Sequence, residues 1–327
     1  MAEEPFDQQL AGKFSFSFDF DESAFNKFLA KAGLDLDSVP EQVLYELGCG
    51  KLVNDSFAIN YAGVLLFARE PQKLVKNSFI ECFRYQGNTR SVIVDNKQLE
   101  GNMASLVDQG EAFVKMHTRL AYKFDGFKRI NIQEYPYKAV REAIVNAVCH
   151  RDYLLQNNVS IHIFDDRIEV ISPGSIPNNL TLKEVQGKSN PRNFAIFELF
   201  KQIGYVERAG SGLKRMHEEM IMHGLDKPRF EANKAFFTVT FPGPKDKILD
   251  LVQPSNEVDL RTLGLNERQI KTLGLAFNEN QVMTNDKYRK LFGVSRQTAS
   301  RDLAELVKQD MLKEEGGSKY VYYKAKR

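Results

Sequence analysis

Tryptophan is absent from the chain, which by itself excludes nothing, but the other scarcities carry more information. No run approaches the ~18 consecutive apolar residues of a membrane-spanning helix. The start, Met1 to Asp21, is polar and punctuated by phenylalanine, with neither the basic nor the apolar region of a secretory leader. A cytoplasmic protein with no membrane partner is the expectation. The only cysteines, Cys49, Cys82 and Cys149, lie far apart without CxxC spacing, so they fit neither a disulfide framework nor a zinc module and read as reduced thiols. There is no GxxxxGK[ST], and Gly48-Cys-Gly-Lys51 lacks its spacing, which argues against a P-loop motor. His117, His162, His217 and His223 show no HExxH or HxxxH pattern, so packed or surface histidines are expected rather than metal ligands. Charge of one sign is lacking too: 45 Lys and Arg face 43 Asp and Glu, so any nucleic-acid surface must be local.

What is present is apolar mass, 43% of 327 residues, enough to fill the cores of two or three domains. Pro242, Gly243, Pro244 and Pro254 follow a strand-like run, Phe236 to Phe241, and mark the main boundary. We read an N-terminal α+β region of unassigned role (1–135), a central domain (136–243), a linker (244–263) and a C-terminal domain (264–327). Helical patterns cover Ser23 to Ala32, Ser38 to Leu47 and Asn102 to Tyr122; Ser78 to Tyr85 and Arg90 to Val94 read as strands. Phe14, Phe16, Phe18 and Phe20 alternate as in a strand, either internal or an edge that pairs with another subunit. A helix opens at Tyr135-Pro136 and runs to His150, followed by a hairpin of Val159 to Phe164 and Arg167 to Ser172. Short helices are expected at Thr181 to Gln186, Phe194 to Ile203 and Gly212 to His223.

The helix Arg141-Glu-Ala-Ile-Val-Asn-Ala-Val-Cys-His150 carries Glu142, Asn146 and His150 at i, i+4 and i+8, on one narrow face, while most of its other circumference is apolar. A carboxylate on such a buried helix suits the activation of water, and an amide oxygen four residues on suits Mg²⁺, which prefers oxygen ligands. The same stripe also fits a solvated edge, or a hydrogen-bond network that holds the helix to Arg151-Asp152-Tyr153. Two glycine turns accompany it: Ser172-Pro-Gly-Ser-Ile176, and Gly210-Ser-Gly212 at a helix start, where backbone N–H groups and the helix dipole favour a phosphate.

Residues 136–241, with REAIVNAVCHRDY, IFDDRIEVISPGSIP, ERAGSGLKRM and FFTVTFP in order, resemble the ATPase-like domain of bacterial transcriptional regulators often labelled RecG-like, which commonly carry a Schlafen-type DNA-binding domain upstream. The resemblance implies the ATP-binding helix-on-sheet sandwich shared by gyrase, histidine kinases and MutL, with ATP and Mg²⁺ as cofactors. In it Glu142 matches the general base and Asn146 the Mg²⁺ position, Gly174 the glycine box near adenine, Gly210 and Gly212 the box near the phosphates, and Asn178 to Arg208 the lid. Ser172 stands where active members carry an aspartate that reads the adenine amino group, and a serine hydroxyl accepts only a weaker, uncharged hydrogen bond. The Schlafen-type domain would precede Pro5, so the expectation is a fragment or a member without it.

The C-terminal stretch from Thr284 holds eleven Lys and Arg against six Asp and Glu. A helix at Asn266 to Phe277, a second from Thr284 to the Gly293 turn, and a third after the N-cap Ser295 to about Gln309 precede two strand-like runs that flank Gly316-Gly317. Ala299, Leu303, Leu306 and Val307 take one face of the third helix, while Gln297, Ser300 and Arg301, with Arg296 nearby, take the other. Helix, turn, recognition helix and wing resemble a winged helix, whose reader enters the major groove of double-stranded DNA. Ser295, Arg296, Gln297, Ser300, Arg301 and Lys319 are the candidate DNA contacts, with Arg289, Lys290 and Lys313 able to reach phosphates. Winged helices also serve as protein–protein modules. The reading is an α+β, multi-domain, homodimeric DNA-binding transcriptional regulator with a nucleotide-sensing ATPase-like domain; the alternative is a Mg²⁺-dependent ATPase.

Overall fold

A computed structural model describes residues 4–35, 39–176, 184, 191–206, 210–251, 257–317 and 320–326. The chain begins with helices α1 (Phe16–Asp19), α2 (Glu22–Ala32) and α3 (Pro40–Glu46), strands β1 (Gly50–Val53) and β2 (Ser56–Ile59), and helix α4 (Tyr61–Phe67). Next come β3 (Ile80–Tyr85), β4 (Ile93–Leu99), α5 (Met103–His117), β5 (Leu120–Asp125), β6 (Lys128–Gln133) and α6 (Tyr137–His150). Then follow β7 (Val159–Ile163), β8 (Arg167–Pro173), α7 (Phe194–Gln202), α8 (Gly212–Met222), β9 (Arg229–Ala232) and β10 (Phe236–Pro242). The last elements are β11 (Glu257–Asp259), α9 (Glu267–Asn278), α10 (Asn285–Phe292), α11 (Arg296–Lys308), β12 (Leu312–Glu315) and β13 (Tyr322–Ala325). No helix of the described residues is long and apolar enough to cross a membrane. The fold is mixed α+β, and the chain divides into two compact units, 1–118 with 135–245, and 119–134 with 246–327.

The first unit is organised by a six-stranded mixed sheet in the order β4-β3-β7-β8-β10-β9, in which only β3 and β7 run parallel. Alternation along the central strands puts Ile80, Cys82, Val159, Ile161, Ile168 and Val170 on the face covered by helices. Gly110 of α5 permits close approach there, since a Cβ at that position would lie 3.2 Å from Ile161 and 3.4 Å from Ile144 of α6. All three cysteines are free and buried, and burial pushes the Cys82 thiol up to about 12. The largest fully buried side chain is Arg151, which donates to the backbone carbonyls of Asn77 and, at 2.6 Å, Asn157. Tyr153 completes this staple with a 2.8 Å hydrogen bond to the Val148 carbonyl.

Three segments differ from the sequence reading. Phe16–Asp19 is a helical turn rather than part of a strand, because Phe16 and Phe20, four apart, meet with centroids at 5.4 Å and join Phe25 and Phe57, while Phe18 points outward. A spacing of four satisfies both periods, so the pattern alone could not choose. The long helix expected over Asn102 to Tyr122 stops at His117, where Thr118 turns extended and its hydroxyl donates to Val114. Strand β4 lies at Ile93–Leu99 rather than Arg90 to Val94, because the chain first closes a loop in which Gly87, with φ +79°, donates to Asp165. The helix expected at Thr181 to Gln186 lies, apart from Glu184, outside the described residues.

The second unit brings together residues that the sequence reading separated. The β5–β6 hairpin, assigned to the N-terminal region, pairs through β6 with β11, which lies in the presumed linker 244–263. Asn278 at the end of α9 fixes the hairpin by accepting from the Phe124 N–H at 3.1 Å and donating to its carbonyl at 2.7 Å. Phe124 and Leu260 then share one core with Ile270, Leu273, Tyr288, Ala299, Leu303 and Leu306. A capping box of Asn266 and Gln269 starts α9, and Gly293, left-handed at φ +63°, ends α10 and makes the tight turn into α11. The β12–β13 hairpin follows, with Met283 bridged to Tyr323.

Candidate functional site

Helix α6 places Glu142 and Asn146 against the start of α8, in the first unit. Glu142 is buried, and its two oxygens are taken: Oε2 pairs with the Arg215 guanidinium, and Oε1 accepts from the Asn146 amide at 3.2 Å. Gly212, the first residue of α8, touches this carboxylate so closely that a Cβ there would sit 2.3 Å from Oε1. The anion at this helix N-terminus is therefore the protein's own Glu142, held by the helix dipole and by Arg215 one turn in. His150 does not join the pair. Burial and the charge of Arg192 hold it down to about 4, so its ring is neutral at pH 7.

The other glycine turn lies at the far end of α6. Ser172 spends its hydroxyl proton on the Ala147 carbonyl at 2.9 Å, which ties β8 to the helix. Gly174 adopts φ +97°, and a Cβ on it would lie 2.7 Å from the Asp152 side chain. Arg192 closes the turn by pairing with Asp152 at 2.7 Å and donating to the Ser175 carbonyl at 2.8 Å. Asn193 caps the end of α6 with two 2.8 Å hydrogen bonds, to the carbonyls of Cys149 and Arg151. Gly210 is left-handed at φ +84°. Glu142, Asn146 and Gly212 are thus brought together; Ser172 meets the same helix at Ala147, one residue after Asn146, and Gly174 lies against Asp152, just past the helix end. Of the expected lid, 178–208, residue 184 and residues 191–206 are described, and the latter carry α7; the remainder lies outside the described residues.

These residues form no all-protein cage for Mg²⁺. Among the described residues no three His, Cys, Asp or Glu side chains gather to hold a metal, and Glu142, the one carboxylate beside Asn146, is committed to a guanidinium. Ser172, its proton given to the Ala147 carbonyl, has only the uncharged lone pairs of its hydroxyl to offer as an acceptor. In this state Glu142 acts as a structural anion.

In the second unit α11 has two contrasting faces. Ser295 caps it by accepting from the Thr298 N–H at 3.1 Å. Ala299, Leu303 and Leu306 are fully buried, and with them Asp302, which accepts from Arg268 at 2.8 and 3.0 Å and from the Tyr288 hydroxyl at 2.9 Å. This network binds α9, α10 and α11 together, and it drives the Tyr288 pKa up through burial and the Asp302 charge. Sequence reading missed it, although an acidic residue amid the apolar positions of α11 is the signal that a buried partner exists. On the outer face Ser295, Arg296, Gln297, Ser300 and Arg301 are exposed. Asn285 orients this turn by donating to Ser300 Oγ at 2.8 Å and to the Arg296 carbonyl at 3.1 Å. Among the described residues the side chains of Arg296 and Gln297 engage nothing, and Arg301 reaches only Asp302, at 3.7 Å. Lys319 lies outside the described residues. Beside it Tyr320 is 83% exposed.

Comparison with known proteins bears on the first unit. Residues 156–241 match the family described as "Putative ATP-dependent DNA helicase recG C-terminal", so an ATPase-like domain of this type is indicated. The match begins after the α6 stripe. A comparison with curated proteins gives no match. Among solved structures the DIP2311 protein of Corynebacterium diphtheriae is similar, with a TM-score of 0.62 and 20% identity over 99% of this chain. The chain spans 65% of that protein's length, and at this identity the likeness concerns the fold alone.

Proposed function

We propose that the protein is a DNA-binding transcriptional regulator in which the second unit is a winged helix and α11 reads the major groove. The observation that carries the reading is the outer face of α11, where two arginines and a glutamine stand exposed on a helix whose inner face is locked by Asp302 and three apolar residues. A rigid helix with uncommitted Arg and Gln at its N-terminal turns suits guanine and adenine edges. The double-stranded DNA partner follows from this chemistry. Selection of duplexes from a random pool by the full chain, followed by footprinting, is the test. A defined site is expected, with Gln297→Ala relaxing it at one position, and recovery of an unenriched pool would end the reading.

The family match, which covers 156–241 and so does not include Glu142, supports a second reading, a Mg²⁺-dependent ATPase in which Glu142 would be the base. It requires Arg215 to leave Glu142 and the α8 N-terminus to withdraw from it. It predicts hydrolysis abolished by Glu142→Ala, and absence of turnover in the unmodified protein removes it. A thermal-shift series with nucleotides, with and without Mg²⁺, separates a sensor from a purely structural platform, because a ligand specific to the folded state must raise the melting temperature by mass action.

A further inference from the structure

Strand β4 is the outer strand of the six-stranded sheet, and among the described residues no strand pairs with its free side. It is seven residues long, and all of it except Leu99 is exposed. Exposed edges of this length are templates for strand addition, and proteins ordinarily shorten or cover them. Here the edge also begins with three consecutive β-branched residues in water: Val92, Ile93 and Val94 are 50%, 52% and 62% exposed. Met116, at the end of the flanking helix α5, is 74% exposed. Its neighbour His117 places its Nε2 2.9 Å from Asp95 Oδ2, so the end of α5 lies over the middle of β4.

We infer that β4 is a dimerisation edge whose occupant is β4 of a second copy, paired antiparallel about a two-fold axis at Asn96. The argument is charge complementarity along the strand. Asp95 and Lys97 point to the same face, the one that carries α5, since Lys97 is registered with buried Cys82 and Asp95 touches His117. With Asn96 opposite its own copy, Asp95 faces Lys97 of the other chain and Lys97 faces Asp95, two opposite-charge cross-strand pairs from one symmetric contact. The regular register stops beyond these pairs, since Val94 is the extra residue of a bulge between Asp95, opposite Arg84, and Ile93, opposite Tyr85. Centring the axis one residue earlier sets Asp95 against itself, and one residue later sets Lys97 against itself; both are repulsive. Among the described residues Lys97 has no carboxylate within ion-pair distance in its own chain. The result is one continuous twelve-stranded sheet. This inference is independent of the DNA-binding reading, since it concerns only the first unit.

The register makes the test specific. In an antiparallel pair the residues opposite each other have Cα atoms about 4.5–5.5 Å apart, within disulfide range. Asn96→Cys in the full chain should therefore give a cross-linked dimer on mild oxidation. Val94→Cys should not, because its thiols would be separated by four residues, about 14 Å. The native thiols are buried and do not compete. In sedimentation, the unmodified chain is expected to dimerise, Lys97→Asp to weaken the dimer ~10-fold or more by opposing like charges twice, and Asp95→Lys with Lys97→Asp together to restore it. Circular dichroism monitors folding of each variant. A monomer at every concentration, a dimer indifferent to Lys97→Asp, no rescue by the folded double exchange, or cross-linking at Val94→Cys as efficient as at Asn96→Cys would each overturn the inference.

Discussion

Helices α6 and α11 both carry polar residues beside buried apolar ones, and they use them in opposite ways. On α6 the carboxylate at Glu142 turns inward and finds Arg215, Asn146 and the α8 N-terminus, all within its own unit. On α11 the arginines turn outward, and the inward carboxylate, Asp302, is spent on holding three helices together. A stripe at i, i+4 identifies a shared face but not what meets it. A buried polar group must find a partner inside the fold, whereas an exposed one remains available to another molecule.

The largest effect should separate adjacent residues of α11. Asp302→Ala leaves the Tyr288 hydroxyl and the Arg268 guanidinium without their anion and should cost about 3–5 kcal/mol in calorimetric unfolding. Calorimetry is the suitable probe because the chain has no tryptophan to report fluorescence. A loss below about 1 kcal/mol would show that the network is ornamental. Next, Gly212→Ala forces a methyl group into Glu142 and should cost about 2–3 kcal/mol by overpacking. A neutral result would mean that α8 can withdraw from α6 at little cost, which would favour the ATPase reading.

Protonation provides a third, smaller lever. His150 and His162 are each held down to about 4 from 6.5, chiefly by burial. The unfolded chain therefore binds these protons first, and stability should fall as pH drops from about 6.5 towards 4, with no contribution from either ring above that window. Denaturant midpoints over this range should flatten in His150→Gln and in His162→Gln, and an unchanged slope in both would contradict the burial of these rings. The smallest effect is on the outer face: Arg296→Ala and Arg301→Ala should leave the melting temperature within the range of ordinary surface substitutions, about 0.5 kcal/mol. A larger loss would mean that these arginines serve the fold.

Much of the architecture could be read where local signals are strong. The α6 helix, the β7–β8 hairpin, β10 and the three C-terminal helices follow from periodicity, capping residues and glycine turns, and they fall within a few residues of where those signals place them. The β5–β6 hairpin was not legible as part of the C-terminal unit, because Asn278 and β11, which receive it, lie more than 120 residues downstream and leave no local mark on its sequence. Strand β4 was shifted because Asp95-Asn-Lys-Gln98 has a poor strand composition, which an exposed edge tolerates. At the site, spacing grouped Glu142 with Asn146 and glycine chemistry pointed to Gly212, but neither could disclose Arg215, which arrives from a different helix to neutralise the carboxylate.

The most direct measurement is the equilibrium affinity of the full chain for duplex DNA across a range of salt concentrations, with Arg296→Ala plus Arg301→Ala alongside. The account predicts that log K falls linearly with log salt in the unmodified chain, and that the double variant binds more weakly with a slope shallower by about one to two units. Absence of salt-dependent binding in the unmodified chain, or identical slopes and affinities for the two proteins, would contradict it.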